Sequence, residues 1–170
     1  ELAGKLDARP DFITLSGSGE PTLHEGLDEL ISGIGSLTDV PVAVLTNGSL
    51  LWQEEVRREL LDADLVIPSL DAGTAATFRA VNRPAEGVEF ARMVDGLVSF
   101  GRTYRGRLWL EVFCLAGYTD AETEIDRIAE IARDVGPERV QLNTATRPTA
   151  EDYADMVAPE RLAELAARFD

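Results

Sequence analysis

Phe12-Ile13-Thr14-Leu15-Ser16-Gly17-Ser18-Gly19-Glu20-Pro21-Thr22-Leu23 is the stretch that decides the fold. Its first residues are mostly apolar and favour extended backbone. They run into a turn punctuated by Gly17 and Gly19, where the missing Cβ permits sharp bends and close approach to a ligand. Beyond Glu20-Pro21 the spacing of Leu23, Leu27, Leu30, Ile31 and Ile34 follows a helical period and predicts a helix over 23–34. The order is strand, tight loop, helix. In parallel α/β folds ligands bind at the carboxyl ends of strands, where this loop lies. A dinucleotide-binding G-x-G-x-x-G is ruled out, because Thr22 occupies the third glycine position.

The same alternation continues through the chain. Extended runs are expected at 12–16, 40–45, 65–68, 107–113 and 139–142. Helices are expected after them, with Val56, Leu60 and Leu61 inward in the second, then at 74–81, 88–100, 121–135 and from Pro159 to about Phe169. Residues 1–10 read as a helix end and a turn, and 149–158 as irregular chain. Strict strand–helix alternation requires a parallel sheet with right-handed crossovers. A closed eight-stranded barrel takes about 250 residues. Five units in 170 residues therefore predict an α/β fold with an open, TIM-like partial barrel, a doubly wound sheet being the rival. Strand 12–16 should be an edge, and such an edge invites pairing with a second copy of the chain.

Composition narrows the function. The chain carries 31 acidic against 16 basic residues, a formal charge of −15, which disfavours nucleic-acid partners. A local patch at Arg102, Arg105 and Arg107 is the one basic grouping, and a solvated loop explains it as well. No apolar run approaches the roughly 18 residues of a membrane span. The lone Cys114 forbids an intrachain disulfide and fits a cytoplasmic setting. It reads as a small core residue. With it and one histidine, His24, which reads as a surface residue, the chain lacks a zinc ligand set. The sequence starts at Glu1 rather than at methionine, so a fragment of a longer protein is expected.

Polar residues gather at the strand ends: Ser16, Ser18 and Glu20; Thr46 and Asn47; Ser69 and Asp71; Asn143, Thr144 and Arg147. Glu111 interrupts the apolar run Trp109-Leu110-Glu111-Val112-Phe113. A charge there is costly to bury unpaired. It either faces water or accepts a ligand inside the barrel, with Arg147 as a candidate partner. Asp71 either caps the helix near Thr74 or accepts from a ribose diol. Singly, each of these residues suits a turn. Together they predict a polar bowl at one end of the barrel, a cradle for a small ligand whose reactive part comes from elsewhere.

Six segments, in this order and spacing, carry a resemblance. They are 16–23 with its Gly-Glu-Pro, Val44-Leu45-Thr46-Asn47-Gly48, Pro68-Ser69-Leu70-Asp71-Ala72, 78–84, 109–113 and Val140-Gln141-Leu142-Asn143-Thr144. They resemble the radical S-adenosylmethionine (radical SAM) superfamily, in its iron–sulfur oxidoreductase branch, from the second to the sixth strand of a (β/α)6 barrel. The resemblance implies S-adenosyl-L-methionine and a [4Fe–4S] cluster as cofactors, an electron donor, and a 5′-deoxyadenosyl radical that takes hydrogen from an unidentified substrate. It places Gly19, Glu20 and Pro21 at the methionyl amino group and Ser69 and Asp71 at the ribose. Leu115 to Gly117, Asn143 and Thr144 flank the adenine or substrate, and Thr46, Asn47 and Glu111 line the barrel. The three-cysteine cluster loop is missing, which implies that residues 1–170 are one truncated core domain, inactive alone, with the loop upstream. A scaffold domain of the same fold, or an unrelated α/β-barrel metabolic enzyme, remains the alternative.

Overall fold

A computed structural model describes residues 10–146, 151 and 154–170. Five strands, β1 (Ile13–Leu15), β2 (Val42–Thr46), β3 (Leu65–Pro68), β4 (Arg107–Cys114) and β5 (Arg139–Thr144), form one sheet in sequential order. Every pairing is parallel. Six helices lie between and after the strands: α1 (Leu27–Gly35), α2 (Glu54–Glu59), α3 (Ala75–Val81), α4 (Phe90–Thr103), α5 (Glu122–Val135) and α6 (Pro159–Ala166). This is the expected open partial barrel. Sequential order, with every crossover in one direction, rules out the doubly wound rival, whose strand order reverses part-way. Among the described residues β1 pairs on one side only, as an edge strand.

The sheet's two faces differ in chemistry. Along β4, Leu108, Leu110, Val112 and Cys114 are buried against the helices, whereas Trp109, Glu111 and Phe113 alternate with them and stay partly exposed. Register carries the second set across the barrel's inner face, where Glu111 lies beside Gln141 and Phe113 beside Asn143. The apolar layer beneath the helices contains Leu27, Ile31, Val44, Val66, Leu110, Ile125, Ile128 and Phe100. Burial of that layer closes the sheet on its helical side and leaves the concave side for a ligand.

Two expectations are corrected. The first helix begins at Leu27, not Leu23, because Gly26 takes a left-handed backbone (φ 82°) between it and a short 3-10 turn over Pro21–Leu23. Leu23 is consequently 71% exposed, and Leu30 also faces outward. Leu61 is exposed because α2 ends at Glu59, before the helical period reaches it. Residues 1–9, 147–150, 152 and 153, Arg147 among them, lie outside the described residues. Among the described residues no helix is long and apolar enough to cross a membrane.

Candidate functional site

The carboxyl ends of the strands converge on one mouth, built around the carboxylate of Glu20. Its Oε1 accepts hydrogen bonds from Thr22 N (3.1 Å), Thr22 Oγ1 (2.7 Å) and Thr46 Oγ1 (2.5 Å). Its Oε2 accepts from Asn47 N (2.7 Å). Glu20 thus latches the glycine turn after β1 to the end of β2. Pro21 opens the 3-10 turn at its first position, which needs no N–H donor. Gly17 takes a left-handed φ of 67° to swing the chain back, and a Cβ at Gly19 would meet open space. Among the described residues, the N–H groups of Gly17, Ser18 and Gly19 have no hydrogen-bond acceptor, so this turn presents unspent backbone groups to a ligand.

From Glu20 the polar chain runs on across the sheet. Ser69 N donates to Thr46 O (3.0 Å), and Leu70 N donates to Glu111 O (2.8 Å). Glu111 Oε1 accepts from Asn143 Nδ2 (2.8 Å). Asp71 sits beside Glu111: its Oδ1 accepts from Phe113 N (2.9 Å) and its Oδ2 from Asn82 Nδ2 (2.8 Å). Glu20, Asn47, Ser69, Asp71, Glu111 and Asn143 therefore share one end of the barrel. Glu111 is half-buried and amide-paired on the inner face, not loose in water.

Some assignments change. Asp71 does not cap α3; Thr74 does, accepting from Thr77 N at 3.1 Å. Thr46 is buried and its hydroxyl is spent on Glu20, so it positions the latch rather than facing a ligand. Thr144 leaves the bowl: it pairs in register with buried Cys114 on the helical face. Its Oγ1 accepts from Val157 N (2.8 Å). The Leu115–Gly117 turn is tied back on itself, Thr119 Oγ1 accepting from Leu115 N (2.6 Å) and Asp120 Oδ1 from Gly117 N (2.8 Å). His24 is exposed, as expected, and lines the outer side of the Gly17–Glu20 turn.

Two residues escaped the sequence reading. Phe113 presents a half-buried ring beside Asn143 on the inner face. Glu124, at the start of α5, is buried, and its Oε1 accepts from Gly73 N (2.7 Å) and Thr74 N (3.1 Å). It holds the turn that follows Asp71. Glu124 lies four residues before Ile128 on the stripe that α5 buries, and that position was the available signal. A larger cavity, about 750 Å³, opens between Asp62, Asp64, Tyr104, Arg105 and Glu138. It lies at the amino ends of the strands, opposite the mouth.

Burial raises the Asp71 pKa above the usual carboxylate range, and the neighbouring Glu111 charge adds to the rise. The bonds from Phe113 N and Asn82 oppose it. A folded-state pKa above the unfolded one favours the protonated form, so this group's contribution to stability is lost as pH rises through the folded value. The native chain should therefore lose stability relative to Asp71→Asn as pH rises above the ordinary aspartate pKa of about 4, followed by urea unfolding at a series of pH values. A difference of the opposite slope contradicts this environment for Asp71. Cys114 is fully buried and its thiol is pushed up to about 11, chiefly by burial and then by the charges of Asp71 and Asp120. Thiolate is the reactive form. Ellman's reagent at pH 8 should leave the native chain unlabelled and react once it is unfolded.

The architecture has close structural counterparts. A domain of pyruvate-formate lyase-activating enzyme from Bacteroides vulgatus superposes with a TM-score of 0.73 at 17% identity, covering 92% of this chain and 91% of that one. A radical SAM methyltransferase from Sphaerobacter thermophilus superposes at 0.71 and 16% identity, covering 98% of this chain and 50% of that one. This is the radical SAM fold. No protein-family model matches the chain. In sequence it is similar to a UPF0026 protein of Methanocaldococcus jannaschii, 32% identical over 171 residues, or 100% of this chain and 53% of that protein. It is also similar to a protein named GTPase Obg from Brachyspira hyodysenteriae, 46% identical over 160 residues, 94% of this chain and 24% of that protein. The chain thus spans about half or less of the length of these relatives. It contains no G-x-x-x-x-G-K-[ST] phosphate loop.

The radical SAM fold implies two cofactors, and the residues fit one of them. Unspent backbone groups at 17–19, adjacent acids at Asp71 and Glu111, the Phe113 ring and the Asn143 amide suit S-adenosylmethionine, a cation carrying an amino acid, a ribose and a purine. They do not fit an iron–sulfur cluster. Cysteine thiolates hold such clusters; this chain has one cysteine, and it is buried on the helical face. Among the described residues no three His, Cys, Asp or Glu side chains are grouped for a metal ion.

Proposed function

We propose that this domain is the S-adenosylmethionine-binding portion of a radical SAM enzyme. Its cluster cysteines would come from polypeptide other than residues 1–170. The observation that carries the reading is the unbroken polar path from Glu20 through Ser69 to Glu111 and Asn143 at one end of the barrel. In this reading the turn at Gly17–Gly19 receives the methionyl group, Ser69 and the free lone pairs of Asp71 receive the ribose, and Phe113 with Asn143 receives the adenine. Bound S-adenosylmethionine supplies one-electron chemistry and hydrogen abstraction; the domain supplies orientation and seclusion. The acids at Asp71 and Glu111 favour a cationic ligand over a neutral one of the same shape.

Glu20 acts by holding the turn, since all its bonds are internal. Asn143 fixes the rotamer of Glu111. Neither acts as a proton carrier in this scheme. The exposed edge of β1 is the surface through which further polypeptide, from the same chain or a second copy, would pair. The test is anaerobic reconstitution with iron and sulfide of a longer polypeptide that carries the cysteines. Formation of 5′-deoxyadenosine from S-adenosylmethionine supports the reading, and a colourless preparation that leaves it intact refutes it.

A further inference from the structure

Beside the mouth, on its outer rim, lies a second cavity of about 400 Å³ that the cofactor reading leaves unused. That volume falls within the range of small-molecule sites, roughly 300–1,000 Å³. Leu23, Leu50, Phe78, Pro84, Val88 and Met93 make its walls, and Glu20 and Asn47 join it to the mouth. Leu23 stands 71% exposed at its rim, an apolar side chain with nothing to bury it. Asn82 also lines it, with its amide turned to Asp71.

Its cationic lining residue is Arg83, which holds a left-handed φ of 45°, the one positive φ outside glycine among the described residues. The following Pro84 disfavours the right-handed helical region for Arg83, but extended backbone would satisfy that restriction. Strain of this kind persists where the surroundings enforce it and concentrates at ligand clamps. Arg83 also pairs with Glu151 (2.9 Å), and both side chains of that pair are solvent-exposed, so a ligand carboxylate can exchange at the guanidinium at little cost. In a chain of formal charge −15, one shared arginine suits a singly charged carboxylate better than a phosphate dianion.

We infer that this cavity recognises the non-reacting part of the substrate, an apolar aryl or alkyl group ending in one carboxylate. Calling the ligand a substrate rests on the mouth being the cofactor seat; the binding itself does not. The apolar body displaces water from the Phe78, Val88 and Met93 walls, and Arg83 takes the carboxylate. The connection through Asn47 directs the rest of the molecule towards the mouth.

The test is calorimetry on the chain with 4-phenylbutyrate as probe and 4-phenylbutylamine as charge control. The acid should saturate a single site and the amine should not bind. Arg83→Gly should weaken binding about tenfold with an unchanged or raised Tm, since glycine suits φ 45°. A purely structural arginine would show the reverse pattern. Leu23→Asp, at an exposed position, should weaken binding similarly without unfolding. Absent saturation, a preference for the amine, or binding by either variant as tight as that of the native chain overturns the inference. S-adenosylmethionine titrated into the native chain separates the two readings: its failure to bind while phenylbutyrate still saturates one site rejects the cofactor seat and leaves the cavity standing.

Discussion

Glu20→Ala is expected to lower stability by about 3 kcal/mol, because hydrogen bonds to a charged acceptor contribute roughly 1.5–3 kcal/mol each and overlap when one group serves several donors. Four donors lose their acceptor together: both groups of Thr22, the Thr46 hydroxyl and the Asn47 N–H. For a domain of this size each kcal/mol moves Tm by about 2–4 °C, so a fall of roughly 6–12 °C should appear in thermal unfolding. Glu20→Gln should be milder. Its carbonyl can replace Oε1, but the amide NH2 then faces the Asn47 N–H, donor against donor. Both variants release the turn at Gly17–Gly19 and should weaken S-adenosylmethionine binding more than tenfold. A Glu20→Ala chain with native Tm would mean that the latch is not structural.

The second large effect is expected at Glu124. Its buried carboxylate satisfies the Gly73 and Thr74 N–H groups from across the sequence. Glu124→Ala strands both donors, and an unsatisfied buried polar group costs about 1–3 kcal/mol. A loss of about 2–4 kcal/mol should be seen by urea unfolding. Glu124→Gln keeps a carbonyl in place of Oε1 and should retain most of the stability. If the alanine and glutamine variants unfold alike, hydrogen bonding to the turn is not what Glu124 contributes. Because that turn follows Asp71, Glu124→Ala should also disturb the proposed ribose contacts while leaving the latch at Glu20 intact.

Much of this architecture was legible in the chain. Strands with buried faces announce themselves through Val, Ile and Leu, and β3 begins and ends where its apolar run does. β5 runs two residues further than the expected Arg139–Leu142 because Asn143, a poor strand former alone, is recruited together with Thr144 by pairing with Phe113 and Cys114. Tertiary pairing there overrides propensity. The bowl was legible as a clustering of polar residues at strand ends. Side-chain direction was not, which is why Thr144 was expected in the bowl and points away from it. Strand alternation could have settled that point, since Thr144 shares the parity of Cys114. Spacing alone does not place the start of the first helix, because Leu23 keeps the helical period while Gly26 breaks the backbone between it and Leu27. Glu124 and Thr74 depend on contacts some fifty residues apart in sequence, which periodicity cannot carry.

The cofactor seat is tested most directly by comparing S-adenosylmethionine with S-adenosylhomocysteine in titration calorimetry on this chain. The two differ by the methyl group that makes the sulfur cationic. With Asp71 and Glu111 side by side on the inner face, the cationic ligand should bind about five- to tenfold more tightly, near 1 kcal/mol for a partly solvated charge pair, and Glu111→Gln should narrow the gap. Failure of S-adenosylmethionine to bind, or equal binding of both ligands that Glu111→Gln leaves unchanged, would contradict the assignment of this mouth.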